Sequence, residues 1–153
     1  SVAFHLRRTD KLIGESALYP AKMYVSLAAE ALASDGLSVE DVKVCFLATD
    51  AVAVHKEVRQ ALENADGWSC RLVYTPSAEN VSLGDTNHRY QSDGALVFLT
   101  ELSHMIDATY LVGTLNSNVD SLAAVLRACS GRYNARKHYA QTYGVDQDTW
   151  FFR

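Results

Sequence analysis

Arg7 and Arg8 follow directly on a short apolar run, and Asp10, Lys11 and Glu15 come soon after them. Planar guanidinium forks hold phosphate oxygens two at a time, which makes a diphosphate the ligand to expect at this stretch. Asp10, Lys11 and Glu15 form an acid/base cluster beside it. Substitution at a sugar's anomeric carbon by an acceptor hydroxyl needs a general base, and a carboxylate within hydrogen-bond reach can serve. Both features also have plainer readings: a surface arginine pair bridging acidic neighbours, and solvated carboxylates with no chemical task.

Whether these groups converge depends on the elements that carry them. Val2, Phe4 and Leu6 alternate with Ala3 and His5, the pattern of a strand, so Arg7 falls at a strand's carboxyl end. In open α/β sheets ligands bind outside those ends. Strand alternation sends Arg7 and Arg8 to opposite sides, so one can meet a ligand while the other anchors the loop. Tyr24, Leu27, Ala28, Ala31 and Leu32 have the spacing of one helix face, beginning near Pro20 and stopped by Asp35-Gly36. Val42, Val44, Phe46 and Leu47 form a mostly apolar run up to Thr49-Asp50, as a strand buried on both sides of a parallel sheet would. A second helix, about Val52 to Ala65, carries Val54, Val58, Ala61 and Leu62 on one face and stops at Gly67.

Leu72 to Thr75 reads as a third strand closed by Pro76, and Tyr110 to Val112 as a fourth. Between them Ala95, Leu96, Leu99, Leu102 and Ile106 have helical spacing, and Val119, Leu122, Ala123 and Leu126 give a last helix. From Ser77 to Asp93 there is no periodicity, and a loop of that length in a compact domain tends to be functional. The tail from Gly131 to Arg153 ends in Trp150-Phe151-Phe152, read as a final strand. Strands alternating with helices at this spacing predict βαβ units. The expected fold is α/β and Rossmann-like, a mainly parallel sheet with helices on both faces, in one domain over residues 1–153.

With 153 residues, 48% hydrophobic and 21% charged, the chain can bury one core, and its net charge of -4 argues against a general nucleic-acid binder. No apolar run approaches the roughly 18 residues of a membrane span. Absence of G-x-G-x-x-G after any strand, and of G-x-x-x-x-G-K-[ST], disfavours dinucleotide oxidoreductases and P-loop NTPases. Phosphate recognition would therefore use side chains and helix starts. Asn116 and Ser117 precede the last helix, where free N–H groups favour an anion or where the two residues act as a plain N-cap. Asp50 could meet a ligand or cap the second helix. His5 reads as a satisfied core histidine. His55, His104 and His138 have no partner at metal spacing, and Asp146-x-Asp148 lies without supporting ligands, so no metal is expected. Cys45, Cys70 and Cys129 each sit among apolar neighbours and read as buried thiols.

Four separated motifs also carry a resemblance: His5-Leu6-Arg7-Arg8-Thr9-Asp10-Lys11 with Glu15, Leu47-Ala48-Thr49-Asp50, Arg89-Tyr90, and Val112-Gly113-Thr114-x-x-Ser117-Asn118-Val119. In this order and spacing they resemble the family-23 fucosyltransferases, the α1,6-fucosyltransferases of N-glycan cores with their rhizobial chitin-oligosaccharide relatives. The resemblance spans roughly Val2 to Leu126. It implies one half of a GT-B-like glycosyltransferase that moves fucose from GDP-β-L-fucose to a glycan hydroxyl with inversion and without a divalent metal. Carried over residue by residue, His5 and Glu101 would contact guanine, Arg7 the β-phosphate and Ser117 the diphosphate. Asp50 would hold the ribose or the neighbouring loop, and Arg8 and Asp10 would support the donor pocket. Glu15 would be the catalytic base, with Lys11 close to it and to the leaving group.

The same resemblance implies a Golgi-lumenal, type II membrane parent acting in protein N-linked glycosylation. Its anchor, dimerising stem and acceptor-side subdomain would lie outside this chain. The chain alone is then expected to hold GDP and not to turn over. A domain that keeps the fold and binds a nucleotide or glycan without transfer is the alternative. Three departures stand out: Ile13-Gly14 replaces the usual Gly-Thr, Glu101 replaces an Asp, and Gly113 and Asp120 replace a cysteine pair of the animal members.

Overall fold

The computed structural model describes residues 1–8, 19–75, 92–114, 117–129 and 142–145. Its centre is β1 (Val2–Leu6), every residue of which is buried. β2 (Val44–Thr49) and β4 (Tyr110–Gly113) flank it, and β3 (Arg71–Tyr74) and β5 (Thr142–Gly144) form the edges, in the order β3-β2-β1-β4-β5 with all pairs parallel. The chain runs outward from β1 to β3, then crosses back over β1 to β4. The strand order therefore reverses between β1 and β4, and a crevice opens at their carboxyl ends.

α1 (Ala21–Ser34) and α2 (Val52–Glu63) cover one face, and α3 (Ser92–Asp107) and α4 (Asn118–Cys129) the other. Strand alternation divides the core accordingly. Val2, Phe4 and Leu6 pack with Cys45, Leu47 and Val112 against Tyr24, Ala28, Leu32, Val54 and Val58. Ala3, Phe46, Ala48 and Leu111 meet Leu102, Met105 and Ala123. The α/β, Rossmann-like expectation thus holds, as does the stop of α1. Gly36 takes φ +72°, and the N–H groups of Gly36 and Leu37 close onto the carbonyls of Ala33 and Leu32, satisfying the helix's last acceptors.

Several local expectations are corrected. On α3, Leu102 and Ile106 of the expected face pack inward together with Met105, but Leu96 and Leu99 are 66% and 58% exposed. On α4, Leu122 is exposed, while Asp120, Ala123, Ala124 and Arg127 are buried. Arg127 turns inward because its guanidinium donates to the carbonyl oxygens of Met105, Ile106, Ala108 and Thr109, closing the end of α3, and to Thr142 Oγ1. Burial pushes its pKa down to about 10, which leaves it cationic at neutral pH. Cys45 and Cys70 are joined in a disulfide and Cys129 is exposed, so none of the three is a buried free thiol. The strand at the far edge is Thr142–Gly144. Trp150 to Phe152 lie outside the described residues.

Candidate functional site

The site grows from the carboxyl end of β1. Thr49 Oγ1 donates to the Leu6 carbonyl at 2.6 Å and accepts the Ala51 N–H at 3.2 Å, locking the ends of β1 and β2 together. Asp50 Oδ1 accepts the Arg8 N–H at 2.8 Å. Asp50 is therefore not a helix cap: α2 begins at Val52 after Ala51, with no side-chain cap. Arg8 shares the parity of Phe4 and Leu6, and its Nη2 reaches Glu57 on α2 at 3.0 and 3.1 Å. Glu57 Oε1 also accepts the Ala21 N–H at 2.8 Å, supplying from α2 the cap that α1 lacks after Pro20. Arg8 thus anchors the segment after β1 to the helical layer. Half-buried Arg7 has the opposite parity, that of Ala3 and His5, and stands at the β1/β4 reversal.

Across the crevice, Thr114 follows β4. Its hydroxyl is 2.7 Å from Tyr24 Oη, and its N–H donates to Asp120 Oδ2 at 3.1 Å. Ser117 begins α4: its carbonyl accepts the Ser121 N–H at 2.9 Å, and its own N–H donates to the Thr114 carbonyl at 2.7 Å. The Ser117 residue is 1% exposed, yet its Oγ has no hydrogen-bond partner among the described residues. It starts the helix through its backbone, and its hydroxyl is left over. A buried hydroxyl without a partner costs roughly 1–3 kcal/mol, a cost that a bound acceptor would remove.

Three acids surround His5. Nδ1 lies 2.8 Å from Asp120 Oδ2 as an ion pair, the ring N–H not aimed straight at the oxygen. Burial disfavours the charged ring, but the charge and hydrogen bond of Asp120, then the charges of Glu101 and Asp50, outweigh it and hold the pKa above its ordinary value. Glu101, on α3, accepts from Thr75 Oγ1 at 2.6 Å. Burial raises its pKa, Thr75 and His5 pull it back, and Asp50 adds a smaller upward push. Groups from β1, the end of β2 and α3 thus sense one another at one edge of the sheet.

His5, Arg7, Arg8, Asp50, Glu101 and Ser117 accordingly all lie around the carboxyl edge, with Arg8 turned toward α2. Asp10, Lys11, Glu15, Asn116, Arg89, Tyr90, Asp146 and Asp148 lie outside the described residues. Sequence reasoning missed Glu57 and Thr75 as parts of this edge, and it noted Thr114 within a motif and Asp120 as a departure without giving either a role. Asp120 also carried the signal of an acid in the first turn of a helix, which does not name His5 as its partner. No group of three or more His, Cys, Asp or Glu able to hold a metal is found among the described residues. No helix among them is long and apolar enough to cross a membrane. In chemical terms the edge offers donors for an anion (Arg7, Ser117 and the start of α4) beside an acceptor, Glu101, and an imidazole. Compared with known proteins, the chain matches no family model and no curated protein.

Proposed function

We propose that the chain is the donor-binding part of a metal-independent, inverting α1,6-fucosyltransferase-like enzyme that holds GDP-fucose at the β1/β4 reversal. The observation that carries the reading is Ser117. Its buried hydroxyl at the start of α4, without a partner among the described residues, stands across the strand reversal from Arg7, where an anion would gain from the N–H groups of a helix start. His5 and Glu101 supply contacts for a base, Asp50 holds the loop that carries the arginines, and the fucose chemistry rests on the motif resemblance. The Cys45–Cys70 disulfide supports an oxidising compartment, which suits the Golgi lumen.

In the proposed reaction the acceptor oxygen attacks the anomeric carbon as its bond to the β-phosphate oxygen breaks. GDP leaves with that electron pair, stabilised by Arg7, Lys11 and the α4 start, and the acceptor's proton passes to Glu15. GDP should raise the melting temperature of the chain, and Arg7→Ala should abolish the rise. A well-folded wild type that ignores GDP would count against donor binding and favour a non-catalytic domain. Transfer itself is tested with GDP-fucose, a panel of glycan acceptors and the intact parent protein. Glu15→Gln there should lower kcat by roughly 10²-fold or more.

A further inference from the structure

Asp120 is a costly residue where it stands. It is fully buried, and a carboxylate taken from water costs several kcal/mol unless it is well paired. Its Oδ2 serves two neighbours, His5 Nδ1 on β1 and the Thr114 N–H after β4. Its Oδ1 packs so closely on Gly113 that a Cβ there would stand 2.1 Å away, so glycine is what makes room for the carboxylate. One side chain of α4 therefore joins the two strands at whose reversal the crevice opens. Tyr24 extends the chain to α1 through the Thr114 hydroxyl.

The 2.8 Å approach of Nδ1 to an Asp120 carboxylate oxygen favours a proton on that nitrogen, with the N–H off the straight line to the oxygen. Nε2 is then the atom the ring has left for a ligand. We propose that Asp120 is a positioning residue for the nucleotide base: it pins His5 with Nδ1 protonated and balances a second proton, so that Nε2–H is presented as a donor beside the Glu101 acceptor. The inference rests on the reading of this edge as a guanine-nucleotide pocket. Guanine offers a carboxylate two adjacent donors, N1–H and N2–H₂, with the O6 acceptor next to them. Adenine offers one donor on that edge.

Among the described residues, the charges that act on His5 are Asp120 from α4, Glu101 from α3 and Asp50 after β2, set against the burial of the ring. Together they outweigh burial and hold the His5 pKa above the ordinary histidine value. Above the folded pKa, Nε2 becomes a lone pair and GDP affinity falls about tenfold per pH unit.

The test combines ¹⁵N NMR of the His5 ring in the 153-residue chain with GDP calorimetry across pH, for wild type and Asp120→Asn. Wild type should show Nδ1 protonated throughout and a midpoint above the ordinary histidine value of about 6.5. In the variant the midpoint should drop, and GDP affinity at neutral pH should fall about tenfold for each unit of that drop. A bare Nδ1 in wild type, an unchanged midpoint in the variant, or GDP affinity flat across pH would overturn the role of Asp120. Should Asp120→Asn not fold, the wild-type tautomer and pH profile decide by themselves. If His5 titrates as described and GDP binds at no pH, the nucleotide reading falls while the Asp120–His5 coupling stands.

Discussion

Reduction of the Cys45–Cys70 bond should lower the stability of the chain by about 3.5 kcal/mol. The bond links β2 to the residue before β3 across a sequence separation of 25. A loop of that size confines the unfolded chain by about 12 cal/mol/K, which is the quoted figure at 25 °C. Cys45 already pairs with Leu72 in the β2/β3 ladder, so the folded backbone needs no rearrangement when the bond opens, and the effect falls on the unfolded ensemble. Replacing Cys45 would add a cavity cost, because its side chain is fully buried, so reduction is the cleaner perturbation. Urea titrations with and without a phosphine reductant are the assay. With a slope toward the upper end of about 1–3 kcal/mol/M for a chain of this length, the midpoint should fall by roughly 1–2 M. Superimposable curves, with reduction confirmed by mass, would refute the loop-entropy argument. Three free thiols in the air-oxidised protein would refute the bond itself, and with it the support for an oxidising compartment.

Two other outcomes follow from the same framework. Arg127→Met keeps much of the volume but strands the carbonyls that close α3, so stability should fall by roughly 3 kcal/mol or more. Arg127→Lys should recover only part of it, because one ammonium cannot span the fork, and a urea loss under about 1 kcal/mol for Met would contradict this account. Thr75→Val removes the hydroxyl that holds the Glu101 carboxyl down, so its pKa should rise further in a ¹³C titration. Because the folded pKa already lies above the unfolded one, the stability tied to Glu101 is greatest below the unfolded value and declines as pH rises through the folded value. The valine variant should extend that decline to higher pH, and an unmoved titration would reject the assigned cause.

The central strand was legible because its period of two is local, and the same alternation placed Arg7 and Arg8 on opposite sides with the pair at a carboxyl end. The end of α1 was legible too, since only glycine takes the left-handed turn at Gly36 without cost. The α4 face was legible only in part, through Val119, Ala123 and Leu126. Apolar periodicity pointed to Leu122, whereas the buried positions include Asp120 and Arg127, charged groups that enter the interior only because His5, Thr114 and the α3 carbonyls are there to meet them. His5 and the α3 carbonyls lie well away in the chain, and spacing along one helix carries no record of them. The disulfide is alike: nothing near Cys45 or Cys70 names the other until β2 and β3 lie side by side.

The amino-acid order by itself determined the alternation of strands and helices and which chemical groups stand at the strand ends, because those are matters of period and of neighbours along the chain. Tertiary structure alone decided that Arg8 belongs to Glu57, that Asp120 belongs to His5, and that the Ser117 hydroxyl is buried without a partner among the described residues. Pairings of this kind are set by which elements the sheet brings into contact, and their energies come from removing charges and hydroxyls from water together, which no single segment can do.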